Sequence, residues 1–228
     1  MADPPARRAV SLKREIEDDI VQAGWPVGSV VGTEAELLER YHVSRNVFRE
    51  AVRLLEHEGV AFMARGHSGG LTVSEPDPDV ISNAIVLYLR YGSVTADQLV
   101  DVRRAIELAA IDAAARRMNE AGIARLRDIQ KATWEAIDGG RFADAERLSQ
   151  QVHVVIAELA GNPALPLFVR ALTRVSTQIT KRPVEEPVGL MGAFEAHRQI
   201  LEALISGDGP VAHYRMDRHL RALRSWLC

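Results

Sequence analysis

The sequence predicts a mainly α-helical chain: a winged helix-turn-helix over residues 1–76, then an all-helical antiparallel bundle over 77–228. Three observations predict this. Two amphipathic helix patterns, "EAELLERY" and "SRNVFREAVRLLEHEG", are joined only by "HV". A glycine-rich turn, "GHSGG", then separates two strand-like runs, "VAFMAR" and "LTVSE". Beyond the Pro and Asp stretch "SEPDPD", which suits a linker, only helical periodicity remains, with no second set of strands and no internal repeat.

Taken in order, Arg8 to Ala23 form a first helix with Leu12, Ile16, Ile20 and Val21 on one side, and "GWPVGSVVG" breaks it. Thr33 followed by Glu36 is a capping box: hydroxyl and carboxylate each accept a hydrogen bond from the other residue's backbone N–H. It opens a short helix with Leu37 and Leu38 inward. Ser44 caps the next helix and Gly59 ends it. At about 100° per residue, Val47, Phe48, Ala51, Leu54 and Leu55 gather on one side of that helix. Arg45, Arg49 and Arg53 share an arc of about 80° on the other, with Asn46 beside them. In the second part, Thr95 and Gln98 form another capping box for a helix to Met118, and Asn119 caps one to Ile137. "RFADAERLSQQVHVVIAELAG" is a third, stopped by Gly161, and Asn162 with Pro163 opens a fourth. "KRPVEEPVG" interrupts, and Met191 to Ile205 and Val211 to Leu227 are the last two, separated by "SGDGP".

Composition bounds the function. With 228 residues, 47% of them hydrophobic, and a net charge of −3, the chain is large enough for one large domain or two modest ones and is not intrinsically disordered. Its longest apolar runs fall short of a membrane span and "MADPPARRAV" lacks a signal-peptide core, which places the protein in the cytoplasm with no membrane partner. The single cysteine, Cys228, cannot form an internal disulfide. Residues 1–76 carry 9 Lys and Arg against 12 Asp and Glu, so any nucleic-acid contact rests on a local patch, not on a basic domain. The row Arg45, Arg49 and Arg53 is such a patch. Alone it reads equally as a solvated face, because cations four residues apart on a helix repel. A preceding short helix and a wing with Arg65 and His67 near its tip turn it into a DNA-facing surface.

Three histidines occupy apolar stripes of three different helices: His153 with Ser149, Ile156 and Ala160; His197 with Phe194, Leu201 and Leu204; His219 with Met216, Leu223 and Trp226. One such histidine reads as a core residue held by a single hydrogen bond. Three aimed at one interior suit a divalent transition metal, zinc or nickel first, because neutral imidazole is a ligand for both. His42, His57 and His213 lie elsewhere and read as surface residues. Arg103 lies on an apolar arc with Leu99, Val102, Ile106, Ala110 and Ala113, with Glu107 one turn on. Two readings stay open for it: an internal ion pair, or a planar fork presented to a carboxylate.

The stretch "TEAELLERYHVSRNVFREAVRLLEHEGV" with its Gly-rich wing resembles the winged-helix domain of the GntR family of bacterial transcription regulators. The resemblance implies that Arg45 and Arg49 contact bases and phosphates in the major groove; the helix face and wing add Ser44, Asn46, Arg53, Arg65 and His67 to the expected DNA surface. Ala35 stands where that family commonly has an arginine. "VRRAIE", "VHVVIAELAGNP", "EAHRQILEALISGDG" and "MDRHL" extend the resemblance to the FCD subgroup, over nearly the whole chain. It implies a metal held by an Asp and three histidines, here His153, His197 and His219, with Ser149 at the Asp position. It also implies a small carboxylate effector near Arg103, Glu107 and Ser149. The function expected is a ligand-responsive regulator, by family habit a repressor, binding a near-palindromic double-stranded operator as a homodimer and not an enzyme. The alternatives are a metal-dependent enzyme using the three histidines and a winged-helix module for protein contacts.

Overall fold

The computed structural model describes residues 5–66, 69–179 and 187–224. The chain divides into two compact units, the first ending at Val80 and the second beginning at Ile81.

The first unit runs α1 (Pro5–Gln22), β1 (Val30–Gly32), α2 (Glu34–Arg40), α3 (Arg45–His57), β2 (Ala61–Met63) and β3 (Leu71–Val73). Leu12, Ile16 and Ile20 of α1 are buried against Leu37 of α2 and Phe48, Ala51, Val52 and Leu55 of α3. Removal of this apolar surface from water is what holds three short helices together. Both predicted caps form: Thr33 and Glu36 make the reciprocal capping box of α2, and the Ser44 hydroxyl accepts from the Val47 amide at the start of α3. Val21 does not join the core; it is exposed, because position 21 is rotated too far from the 12–16–20 stripe. Val52, absent from the predicted inward set, is buried.

The hairpin β2–β3 pairs antiparallel, with Phe62 opposite Thr72. A third strand was not expected: β1 joins the other edge of β3, giving the order β1-β3-β2. "VVG" is three residues between turn formers and carries no strand signal of its own; the partner forty residues away makes it a strand. Gly70 allows that approach, since a Cβ there would lie 2.6 Å from the Gly32 carbonyl oxygen. His67, expected near the wing tip from the sequence, lies outside the described residues.

The second unit contains all but the first three residues of α4 (Pro78–Tyr91), then α5 (Ala96–Arg117), α6 (Glu120–Asp138), α7 (Phe142–Leu159), α8 (Ala164–Ile179), α9 (Pro187–Ile205) and α10 (Gly209–Ala222). The Thr95–Gln98 capping box and the Asn119 cap stand where the sequence put them, and Gly161 takes the positive φ of +72° that ends α7. The main core joins Ile111 of α5, Leu126 of α6, Val152 and Ile156 of α7, Ile200, Leu201 and Leu204 of α9, and Met216 and Leu220 of α10. Helix α4 begins inside the stretch read as linker, since Pro at a first helical turn needs no N–H partner. Val102 is exposed, correcting its place on the Arg103 arc. Trp226, Leu227 and Cys228 lie outside the described residues, as does most of "KRPVEEPVG".

The turn between α2 and α3 stores strain. His42 sits at φ +51°, the left-handed region that disfavours a residue with a Cβ, and its side chain is exposed. His42→Gly should therefore raise unfolding stability by about 1 kcal/mol in chemical denaturation; a lower midpoint would contradict this account of the turn.

Candidate functional site

Five helices of the second unit converge on one buried polar cluster. Arg103 and Glu107 come from α5, Ser149 and His153 from α7, Ser176 from α8, His197 from α9 and His219 from α10, and all seven are buried. Arg103 has the largest fully buried side chain among the described residues. A guanidinium there is tolerable only with compensating partners. Its Nε donates to Glu107 Oε1 at 2.6 Å and its Nη1 donates to Ser176 Oγ at 3.0 Å. Its Nη2 is buried with no hydrogen-bond partner among the described residues.

Glu107 serves two donors at once. While Oε1 accepts from Arg103, Oε2 lies 2.5 Å from His153 Nδ1. Burial by itself would raise the Glu107 carboxyl, but the charge of Arg103 and the hydrogen bonds from His153 and Arg103 outweigh it and hold the group at about 2. An ionised carboxylate only accepts, so the proton of this contact resides on His153 Nδ1, and in the neutral ring the lone pair is left on Nε2.

That lone pair faces the other two rings. His197 Nε2 lies 3.1 Å from His153 Nε2 and 3.1 Å from His219 Nε2. One proton on His197 Nε2 can serve only one of these contacts, whereas a cation at their common focus serves all three nitrogens. The three histidines form a group able to hold a metal ion, their ligand atoms all within 4.8 Å of one another. With metal–nitrogen bonds of about 2.1 Å, ligands at right angles stand about 3.0 Å apart and tetrahedral ones about 3.4 Å. The two spacings from His197 Nε2 match ligands at right angles. Ser149 Oγ lies 3.3 Å from His197 Nδ1, on the far side of the ring from Nε2. It is placed to orient the imidazole.

Burial drives the pKa values of His197 and His219 well below the ordinary imidazole range, and the nearby His153 and Arg103 add to the effect. Both rings are neutral at neutral pH, the form that ligates a metal. His213 is not a plain surface residue: it is half-buried, with its Nδ1 2.8 Å from Asp112 Oδ1, joining α10 to α5. Ser176 had no signal in the sequence, lying 73 residues from the arginine it contacts.

In the first unit, Arg45, Asn46, Arg49 and Arg53 are all exposed along α3. Arg45 Nε lies 3.8 Å from Glu34 Oε1 and Arg53 Nη1 donates to Glu50 Oε2 at 3.3 Å, both exposed pairs that bind weakly and yield readily to a competing anion. Arg49 has no ion pair among the described residues. Arg65 is exposed beside Gly66, whose φ is +115°.

Comparison with known proteins decides the family. Residues 98–222 match the FCD domain and residues 8–69 match bacterial regulatory proteins of the gntR family. The chain belongs to the GntR family, with an FCD domain. This regulator is 30% identical over 205 residues to the uncharacterized HTH-type transcriptional regulator YcbG of Bacillus subtilis, spanning 86% of this chain and 80% of that one. It is 27% identical to the Exu regulon transcriptional regulator of Escherichia coli, over 95% of this chain and 83% of that one. The structure of Streptococcus agalactiae GntR shares its fold, with a TM-score of 0.68 at 21% identity over 95% of this chain and 99% of the other. These relatives are transcription regulators, so the reading of the three histidines as an enzyme centre is set aside. The helix-turn-helix of the GntR family is a DNA-binding element. Among the described residues no helix is long and apolar enough to cross a membrane.

The neutral histidines make stability pH-dependent. In the unfolded chain they bind protons below about pH 6.5, which the buried rings do not, so folding is favoured above that value and progressively lost below it. Metal-free regulator should lose about 1.4 kcal/mol per pH unit for each of His197 and His219 as pH falls from 6.5 to 5. Flat unfolding free energy over that range would show that the rings are not neutral in the fold.

Proposed function

We propose that this GntR-family protein is a repressor that binds a near-palindromic operator as a homodimer and is controlled by a small carboxylate held in the bundle of its second part. The division of labour is residues 1–76 for DNA and 77–228 for effector and self-association. The observation that carries the effector reading is the buried Arg103 Nη2 without a partner among the described residues: a donor desolvated at full cost, in a polar cluster already arranged around one ionised carboxylate. A carboxylate ligand satisfies it.

His153, His197 and His219 are the residues that would hold a divalent zinc or nickel ion, and Glu107 and Ser149 orient two of them from behind. Such an ion, when bound, supplies a second positive anchor for the effector's oxygens. Arg103 supplies the first through its planar fork, and burial of the cluster keeps water from screening either.

On DNA, Arg45 and Arg49 are assigned to the major groove, Ser44, Asn46 and Arg53 to its edges and the adjoining phosphates, and Arg65 and His67 to the wing contact. Two such units address half-sites about 10 base pairs apart, centre to centre. Because the basic patch is small, affinity should fall only moderately with salt.

Selection from randomised duplexes should return an inverted repeat of that spacing, and Arg49→Ala should weaken binding to it about 5- to 150-fold per half-site. Recovery of no repeat, or unchanged binding by Arg49→Ala, would remove the α3 assignment. With that duplex bound, a panel of small mono-, di- and tricarboxylates should contain at least one that shifts DNA affinity 5- to 150-fold. No shift across the panel, with and without added zinc, would overturn the effector reading.

A further inference from the structure

Gln150 Oε1 on α7 shares the condition of Arg103 Nη2 on α5: it is buried with no hydrogen-bond partner among the described residues. Helix packing puts the two residues at one level of the bundle. Glu107 meets His153, and three residues further along α5 Ala110 clusters with Ala157, four further along α7, so these helices run in the same direction. Arg103 meets Ser176 while Ala110 clusters with Val169, so α8 runs the opposite way. Positions 150, 154 and 157 of α7 share one face, and Val154 and Ala157 are the ones that pack with Ala110 and Val169. Gln150 is one turn before them on that face, the level of Arg103 and Ser176. An amide oxygen accepts and a guanidinium nitrogen donates. A bare carboxylate therefore satisfies Arg103 and leaves the Gln150 acceptor empty.

We propose that Gln150 sets effector specificity, its Oε1 accepting a hydrogen bond from a hydroxyl carried beside the carboxylate that Arg103 binds. The inference rests on the carboxylate effector of the proposed function and names what else that molecule carries. The donor is a hydroxyl and not an ammonium for an electrostatic reason. Arg103 is already a buried cation, and Glu107, the carboxylate of the cluster, already accepts from two donors. An ammonium at Gln150 would be a second buried positive charge with no counter-ion in the cluster, whereas a neutral hydroxyl needs only an acceptor. A site built to bond a hydroxyl discriminates against the analogue lacking it, because the site's own buried group is then left unpaired. Gln150 thus separates hydroxycarboxylates from alkyl acids of the same length, which Arg103 alone does not.

Calorimetric titration of the full chain, with and without zinc, tests this with matched acids: lactate, propionate and alanine; malate, succinate and aspartate; gluconate, 2-deoxygluconate and glucosaminate. In at least one set the native chain should bind the hydroxy acid about 5- to 150-fold more tightly than its deoxy and amino partners, the effect of one unfilled buried acceptor. Gln150→Leu should abolish that preference by weakening the hydroxy acid and leaving the deoxy acid as tight or tighter. A merely structural role would weaken both alike. Should Gln150→Leu fail to fold, Gln150→Glu decides: its carboxylate should turn the preference toward the amino acid. Hydroxy and deoxy acids bound alike, an amino acid preferred by the native chain, a preference that survives substitution, or an equal loss for both acids would overturn the role of Gln150 and leave the carboxylate effector standing. Binding of no acid in the three sets would overturn both.

Discussion

The second unit depends on one buried carboxylate. Glu107 neutralises Arg103 through one oxygen and fixes His153 through the other, so a single side chain of α5 ties a guanidinium to a three-imidazole cluster. Desolvating a charged pair costs several kcal/mol, and a hydrophobic replacement of similar volume is often no less stable. The arrangement therefore stabilises a particular geometry more than it stabilises the fold. Without Glu107, Arg103 would be an uncompensated buried cation and His153 would be free to change tautomer.

That geometry explains how one small buried cluster can influence a whole domain. The side chains around it come from α5, α7, α8, α9 and α10, so a ligand that draws Arg103 and the histidines together acts on five helices at once. A change of this kind alters DNA binding only if the ligand binds one arrangement of those helices better than another, and the coupling is reciprocal. At the other end of the chain, α3 presents arginines whose partners, Glu34 and Glu50, are exposed and weakly bound. The α3 arginines are thus held without a strong ion pair, as the proposed DNA contact requires.

Much of this was legible in the sequence because it is local. The capping boxes at Thr33 and Thr95, the Ser44 and Asn119 caps and the spacing of Arg45, Arg49 and Arg53 each depend on residues within four positions of one another. The three inward histidines were legible because each lies on an apolar stripe of period 3.6. What was missed is non-local. β1 exists only through β3, Ser176 meets Arg103 from another helix, and His213 meets Asp112 across 101 residues. Val102 and Arg103 compete for one inward direction on α5, and the arginine takes it because Glu107 and Ser176 receive it. Ser149 was placed on the right face, but helical spacing could not show that its hydroxyl lies against His197 Nδ1 and not at the focus of the three Nε2 atoms. Helix α4 was hidden because apolar residues on both its faces blur the period.

The central claim is that His153, His197 and His219 form one metal-binding face through their Nε2 atoms, with Ser149 behind it. The most direct measurement is an anomalous difference map from crystals of the protein loaded with zinc, recorded on both sides of the zinc edge. The account predicts a single strong peak about 2.1 Å from all three Nε2 atoms, with Ser149 Oγ outside the coordination sphere and bonded to His197 Nδ1. A peak that engages Ser149 Oγ directly, or none at the three histidines in fully loaded crystals, would contradict it.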